Sequence, residues 1–286
     1  MNLPNSKAII EKQNTEENIR LQCAAGYYFN TAENLNYACW VICVLSAVLS
    51  FWSESLPQTI AMVFIDIVCL VLGLATEHCT KYAADLRKLY DARVLFGNNG
   101  GFEEPEIRKL IEKAISMVRL HRKNYQVVSK TDGAGKPAGK KDWYVFASDK
   151  EPLLAQLECQ AQNKWWDEKM VAKRRWLLCI LVVIAVIVGA LLVINLSLPM
   201  PGLVNALFVL LTRLVERHIK YKKYYKISIE IDTMYMSAMK SISEDKIMDL
   251  QEYIDKRRHL TVFGVNVIHE IFSARLTKLY NDMTKN

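Results

Sequence analysis

The sequence predicts an all-α membrane protein, with four transmembrane helices in two hairpins and a helical cytoplasmic domain. Residues 35–52, 56–75 and 176–196 form long apolar runs without lysine or arginine, and a shorter apolar run follows at residues 199–214. At 1.5 Å per helical residue, the three long runs are about 27–32 Å long, which is the thickness of the hydrocarbon core of a bilayer. This pattern argues against a soluble enzyme.

Basic residues indicate on which side of the membrane each connecting segment lies. Of the 37 lysines and arginines, three precede the first span, 20 lie between residues 76 and 175, and 14 lie from residue 213 onward. Because these residues accumulate on the cytoplasmic side, we expect both termini and the central segment to be cytoplasmic. The predicted order is a cytoplasmic N-terminal helix at 1–34, spans at 35–52 and 56–75, a cytoplasmic helical domain at 76–175, spans at 176–196 and 199–214, and cytoplasmic helices at 215–286.

Helical patterns account for most of the cytoplasmic segments. Thr15, with two glutamates after it, predicts the start of a helix that enters the first span. The pattern after the second span continues over residues 78–95 until glycines at 97–101 break it, and Pro105 then starts a clearer amphipathic helix. The polar residues 131–141 predict a mobile loop. Further helices are predicted at 153–175, 215–239, 244–258 and 265–283.

No catalytic or metal-binding arrangement emerges from the sequence. The seven cysteines contain no C-x-x-C pair, and they fall in predicted spans or in cytoplasmic segments where thiols stay reduced, so we expect ordinary structural cysteines. The loop at 131–141 is not a phosphate-binding loop, because Gly133 and Gly139 are wrongly spaced and Lys141 stands where a hydroxyl is required. We therefore expect no catalytic residue, no metal and no cofactor.

Two clusters of basic and aromatic residues flank the predicted cytoplasmic membrane interface. Residues 217–226 contain five basic residues and three tyrosines, and residues 164–176 contain five basic residues and three tryptophans. We favour anchoring to lipid headgroups, and the alternative is a cytosolic pocket for a phosphate-bearing ligand. Duplex nucleic acid is not expected as a partner this close to a membrane. The candidate ligand- or headgroup-binding residues are Arg174, Arg175, Arg217, Lys220, Lys222, Lys223 and Lys226.

Asp66 is the single acidic residue in the predicted spans and lies near the middle of the second. A central acid costs about 2.5–3.5 kcal/mol on insertion scales, so such residues usually face protein or water. Packing within a helix bundle and a role in a pore or gate both remain open for Asp66, and Asn205 in the fourth span is a weaker candidate. Because Met62, Cys69 and Gly73 share the helical face of Asp66, we predict that this face meets other helices.

Several motifs also resemble those of a known family. They are Gln13-Asn14, Leu21, Ala24-Ala25, Tyr28, Ala83-Ala84, Tyr90-Asp91, Asp142-Trp143-Tyr144, Pro152, Cys159-Gln160, Asn163, Trp166-Asp167, Lys173-Arg174-Arg175 and, more loosely, Leu250-Gln251, Ile254, Arg257, Arg275 and Met283. In these motifs the sequence resembles the SMODS-associating four-transmembrane effectors, which are membrane proteins of cyclic-oligonucleotide anti-phage signalling systems in bacteria. The chain departs from the family pattern after Arg257, where the expected prolines are missing.

The resemblance implies a multi-pass effector of the bacterial inner membrane. A cyclic oligonucleotide, made by a neighbouring nucleotidyltransferase, would cause it to form a homo-oligomer that permeabilises the lipid bilayer and arrests or kills the infected cell. The alternative is a membrane scaffold or regulatory protein that recruits cytosolic partners without forming a pore, and a membrane enzyme ranks third. The family-motif residues that we expect to build the core of the cytoplasmic domain are Trp143, Tyr144, Gln160, Asn163, Trp166 and Asp167.

Overall fold

The computed structural model describes residues 3–49, 56–135, 137–196, 200–260 and 266–285. Within these residues the chain is all-helical, as predicted, with nine α-helices, one π-helical turn at Ala92–Phe96 and no β-strand. The helices are α1 (Ser6–Gln13), α2 (Glu16–Leu49), α3 (Leu56–Asp91), α4 (Glu104–Leu120), α5 (Arg122–Val128), α6 (Pro152–Leu196), α7 (Met200–Lys240), α8 (Glu244–Arg258) and α9 (Asn266–Lys285).

Four long helices, α2, α3, α6 and α7, contain the described parts of the predicted spans. The longest, α6, has 45 residues, which corresponds to about 68 Å and is roughly twice the thickness of a bilayer core. Among the described residues, one helix, Ile60–Phe96, is long and apolar enough to cross a membrane. The apolar side chains of its first part, residues 60–75, are largely exposed, for example Phe64 and Leu70, whereas those of its second part are mostly buried. Four spans are therefore not established, although the all-helical class is confirmed.

Local sequence signals explain where several helices begin. Glu103 and Glu106 form a reciprocal capping box at the start of α4, with Pro105 in its first turn. The side chain of Ser243 accepts a hydrogen bond from the Lys246 amide at the start of α8. Helix α2 begins at Glu16, but the Thr15 hydroxyl donates to the Lys12 carbonyl (3.0 Å) at the end of α1.

The loop after α5 differs from the mobile segment that its composition suggested. Its two ends are joined by backbone hydrogen bonds from the Lys140 amide to the Val128 carbonyl (2.9 Å) and from the Lys141 amide to the Thr131 carbonyl (3.1 Å). The Gly139 amide also donates to the Asp132 carbonyl (2.7 Å). The amino-acid composition of the loop did not indicate these backbone hydrogen bonds. They fix the position of the Lys140 backbone, from which its side chain projects.

The core of the predicted cytoplasmic domain, the cytoplasmic core, joins the N-terminal arm, the central segment and the C-terminal helices. Its largest fully buried side chains come from α1, α2, α3, the π-helical turn, the segment before α6, α7 and α8, and include Ile9, Leu21, Tyr90, Tyr144 and Leu250. The side chain of Gln13 donates to the Tyr144 carbonyl (3.0 Å) and accepts from the Tyr144 amide (2.7 Å). This paired contact fastens α1 to a segment 131 residues later in the chain.

Candidate ligand-binding cavity

A cavity of about 850 Å³ lies outside the predicted spans, where residues of α2, α3, α6 and α7 meet the loop after α5 and helices α8 and α9. This volume is at the upper end of the roughly 300–1,000 Å³ that is usual for ligand pockets. Four basic side chains line it, against the acids Glu33 and Asp167. The basic residues are Arg87, Lys140, Arg257 and Arg258, and the aromatic residues are Tyr27, Phe29, Trp143, Trp166 and Tyr224.

Lys140 differs from the other basic residues of the cavity because it has no carboxylate partner among the described residues. Among the described residues, no acidic oxygen lies within 4.0 Å of its ammonium, whereas each of the three arginines is paired. Burial lowers the pKa of Lys140 below its ordinary value of 10.5, and the nearby positive charge of Arg87 adds to this effect. Lys140 is half-buried and has no counter-ion among the described residues, which is costly, so an anion that entered the cavity would be stabilised there.

Trp143 lies at the centre of the aromatic and basic groups. Its ring is 5.5 Å from that of Trp166, with the Arg87 guanidinium at 5.2 Å and the Lys140 ammonium at 5.6 Å from the Trp143 ring centre. The indole Nε1 of Trp143 is buried and has no hydrogen-bond acceptor among the described atoms. Aromatic faces beside cations suit a ligand that combines flat rings with negative charge.

A buried polar network forms one wall of the cavity and is organised around Asp91. Its carboxylate accepts hydrogen bonds from Arg258 (2.6 Å) and from the Tyr144 hydroxyl (3.0 Å), while Arg87 lies 3.7 Å away. Burial by itself would raise the pKa of Asp91, but Arg258 and Arg87 outweigh it and hold that pKa below its ordinary value. Asn163 donates to the Tyr144 hydroxyl (2.9 Å) and so connects α6 to this network.

A second ion pair links α6, α7 and α8 beside the cavity. Arg257 lies 3.1 Å from the carboxylate of Asp167, and the hydroxyl of Tyr224 donates to the same carboxylate. Burial lowers the pKa of Arg257, and Asp167 opposes that effect. The cavity walls are therefore joined by charged contacts that a bound anion would perturb.

His259 makes the stability of this region depend on pH. Its Nε2 lies 3.0 Å from the Asp85 carboxylate, and this contact raises the pKa of His259 above 6.5. The folded protein then binds the proton more tightly than the unfolded chain, so the stabilisation is complete below pH 6.5 and is lost as pH rises through the raised pKa.

We expect the melting temperature of the wild-type protein to fall over that window and the fall to be smaller in His259→Gln. Asp255 contacts His259 and burial raises its pKa to about 6, so the two profiles are compared from pH 7 upward, above the titration of Asp255. Thermal unfolding in detergent, followed by circular dichroism at a series of pH values, measures the difference. Identical pH profiles would show that His259 does not contribute.

The residues proposed from sequence for ligand or headgroup binding do not gather at this cavity. Lys222, Lys223 and Lys226 are exposed on α7 and do not line it, although Tyr224 between them does. Arg217 and Lys220 line a separate cavity of about 80 Å³ closer to the predicted membrane. The side chains of Arg174, Arg175 and Asn205 lie outside the described residues.

The family-motif residues lie around the large cavity and the adjoining core. Trp143, Asn163, Trp166 and Asp167 line the cavity, and Tyr144 is fully buried in the Asp91 network. The amide of Gln160 donates to the Ile247 carbonyl (3.0 Å) and thereby joins α6 to α8.

The sequence named Arg257 only as a loosely matching motif residue and did not single out Arg87, Lys140 or Arg258, because no local pattern unites positions 87, 140, 257 and 258. The adjacent pair Arg257-Arg258 at the end of α8 was the one local signal.

Asp66 is exposed on α3, while Cys69 on the next turn packs against α2. Within one chain, the predicted face of α3 is therefore partly exposed, at Asp66, and partly packed, at Cys69. A Cβ at Gly73 would meet no described atom within 4 Å, so no described helix approaches closely at that position.

Comparison with known proteins connects this architecture to a family. The family model described as "SMODS-associating 4TM effector domain" matches residues 7–221, which run from α1 into α7 and include most of the cavity. Neither the curated proteins nor the solved structures contain a match to the chain. The family name implies a membrane effector of SMODS-based signalling. Since the match covers about three quarters of the sequence, the chain belongs to the SMODS-associating 4TM effector family.

Proposed function

We propose that this protein is an anti-phage effector of the bacterial inner membrane, and that a cyclic oligonucleotide bound in the 850 Å³ cavity activates it to oligomerise and permeabilise the bilayer. The observation that carries the proposal is the ammonium of Lys140, which lies beside the ring of Trp143 and has no carboxylate partner among the described residues. Phosphates would bind Lys140 and compete for the neighbouring guanidinium groups, while bases would stack on the aromatic rings. The family provides the class of signal, and the cavity provides the chemistry that would recognise it.

The position of the cavity suggests how binding would reach the membrane. Each of the four long helices contributes to its lining, for example Gly26 from α2, Arg87 from α3, Met170 from α6 and Tyr224 from α7. The same helices contain the predicted spans. A ligand that favours one spacing of these helices would shift the equilibrium between arrangements of their membrane halves, because a ligand stabilises the state that it binds better.

Co-expression in bacteria tests the function. Cells that produce this protein together with an active SMODS-type cyclic-oligonucleotide synthase should lose membrane potential and stop growing, whereas a catalytically inactive synthase should leave them unaffected. Normal growth and potential with the active synthase, at confirmed membrane abundance of the protein, would contradict the proposal. If the protein binds the nucleotide but leaves the potential unchanged, the non-pore scaffold is the better description.

Asp66 provides a test of the conducting step. Its side chain is exposed on α3, where Phe64 and Ile67 are also exposed. Within a membrane, a carboxyl group at this position would need to contact a second subunit or water. Asp66→Leu should insert and fold normally, because it makes the span more apolar, but it should lose growth arrest when the signal is supplied. The matched control, Ile67→Leu, should retain it. Full toxicity of Asp66→Leu at wild-type membrane abundance would place the conducting path elsewhere.

A further inference from the structure

We propose that Cys39, Cys43 and Cys69 form a binding site for a thiophilic divalent cation such as Zn²⁺ in the cytoplasmic half of the first predicted hairpin. Each of the three sulfur atoms lies within 4.8 Å of the other two, and all three side chains are buried. The Sγ atoms of Cys43 and Cys69 are 3.7 Å apart. These residues do not line the large cavity, so this site is separate from the proposed signal-binding site.

The spacing of the sulfur atoms agrees with the geometry of a zinc site. Tetrahedral Zn–S bonds of about 2.3 Å place the ligand sulfurs about 3.8 Å from one another. Cys39 and Cys43 are four residues apart on α2 and therefore share one helical face, and α3 brings Cys69 opposite them. The sequence predicted structural cysteines because it contains no C-x-x-C pair and these three residues fall in predicted spans.

A cavity and a counter-charge adjoin the thiols. Cys39 and Arg213 both line the cavity of about 80 Å³ that lies towards the cytoplasm, which gives an entry path and room for a water molecule as fourth ligand. The Arg213 guanidinium is 3.2 Å from the Cys39 sulfur. Three thiolates around Zn²⁺ would leave one net negative charge, which Arg213 would offset in part, because Arg213 also pairs with Glu216 (3.2 Å). A cation beside the thiolates lowers the cost of placing their charge within a predicted span.

The hydrogen bonds from the thiols to backbone carbonyls are long and therefore weak. The Cys39 thiol reaches the Cys69 carbonyl at 3.8 Å, and the Cys69 thiol reaches the Cys39 carbonyl at 4.0 Å. Packing alone would be served by small apolar side chains at these positions. A metal would join α2 to α3 near the point where the hairpin enters the cytoplasmic core, and would hold this end of the hairpin fixed.

Metal titration of the purified full-length protein tests the site without any nucleotide. The protein is reduced, stripped of metal by chelation in detergent, and titrated with Co²⁺, whose binding to thiolates produces an intense near-ultraviolet charge-transfer band. We expect one equivalent of Co²⁺ to bind per protein chain, and we expect added Zn²⁺ to displace the Co²⁺. Cys43→Ser and Cys69→Ser should lose the band, while Cys79→Ser, which removes a half-buried thiol from α3 outside the trio, should retain it.

Absence of the band in the wild-type protein would overturn the proposal, whatever the variants do. A band that persists in both Cys43→Ser and Cys69→Ser would assign the metal to other residues and would also overturn it. Circular dichroism of each variant verifies that the helices have formed. Because the readout is metal binding rather than toxicity, the result is independent of whether the protein is a nucleotide-gated effector.

Discussion

Replacement of Lys140 by methionine is expected to weaken binding of the activating cyclic oligonucleotide by roughly 10- to 150-fold, which corresponds to a loss of about 1.5–3 kcal/mol for a charge-assisted hydrogen bond. The ammonium of Lys140 is half-buried and has no carboxylate partner among the described residues, so its charge is available to a phosphate. Methionine keeps most of the apolar stem and removes the ammonium. The variant should therefore fold at least as well as the wild-type protein, since it removes a half-buried cation that has no carboxylate partner among the described residues.

Isothermal titration calorimetry at two salt concentrations measures this effect. The controls are Lys141→Met, next to Lys140 in the chain but exposed, and Lys223→Met in the exposed basic cluster of α7. Both should retain wild-type affinity, and Lys140→Met should also show a weaker dependence on salt because one charge pair is lost. Unchanged affinity in Lys140→Met together with a large loss in Lys223→Met would move the ligand site to the α7 cluster and would support the alternative interpretation of that cluster.

The second large effect is expected at Asp91. Asp91→Ala should reduce the free energy of unfolding of the cytoplasmic core by about 3–5 kcal/mol, because removal of one partner leaves the buried Arg258 without its closest counter-ion. The Tyr144 hydroxyl would also lose its acceptor. Heat or denaturant unfolding in detergent, followed by circular dichroism, measures the loss.

Glu104→Gln is the matched control for Asp91→Ala. It removes an exposed carboxylate that pairs with Arg108 on the surface of α4, and it should change stability by no more than about 1 kcal/mol. Equal effects of the two substitutions would mean that the Asp91 network does not hold the core together.

Much of the helical architecture could be predicted because its signals are local. The capping box of Glu103 and Glu106 and the proline between them mark the start of α4 within four residues of sequence, and the apolar runs indicate the long helices. The motif residues Tyr144 and Asn163 were expected in the core, and they lie in the Asp91 network. Their structural role remains a prediction, which the Asp91 substitution tests indirectly.

The cavity could not be predicted because it depends on pairings across the whole chain. Lys140 and Arg258 are 118 positions apart, and the first comes from a loop whose composition gave no reason to expect a fixed position. From sequence, Tyr224 and the lysines next to it formed one basic and aromatic cluster. In the structure, Tyr224 lines the cavity, whereas these lysines are exposed to solvent. The direction of a side chain on a helix becomes informative only when the packed face is known.

The three thiols show the same limitation at shorter range. The spacing of Cys39 and Cys43 puts them on one face of α2, but only the register of α3 against α2 determines that Cys69 meets them. Register between two apolar helices depends on side-chain packing along their whole length, and the sequence pattern does not fix it.

Release of dye from liposomes tests the central claim most directly. Purified protein is reconstituted into dye-loaded vesicles of bacterial phospholipid and titrated with a panel of cyclic di- and trinucleotides, with Lys140→Met as the control. We expect release with at least one member of the panel, little release without nucleotide, and a titration shifted to at least tenfold higher concentration in Lys140→Met, in line with the affinity loss expected above. No release with any nucleotide, or release that is the same with and without nucleotide, would contradict the account.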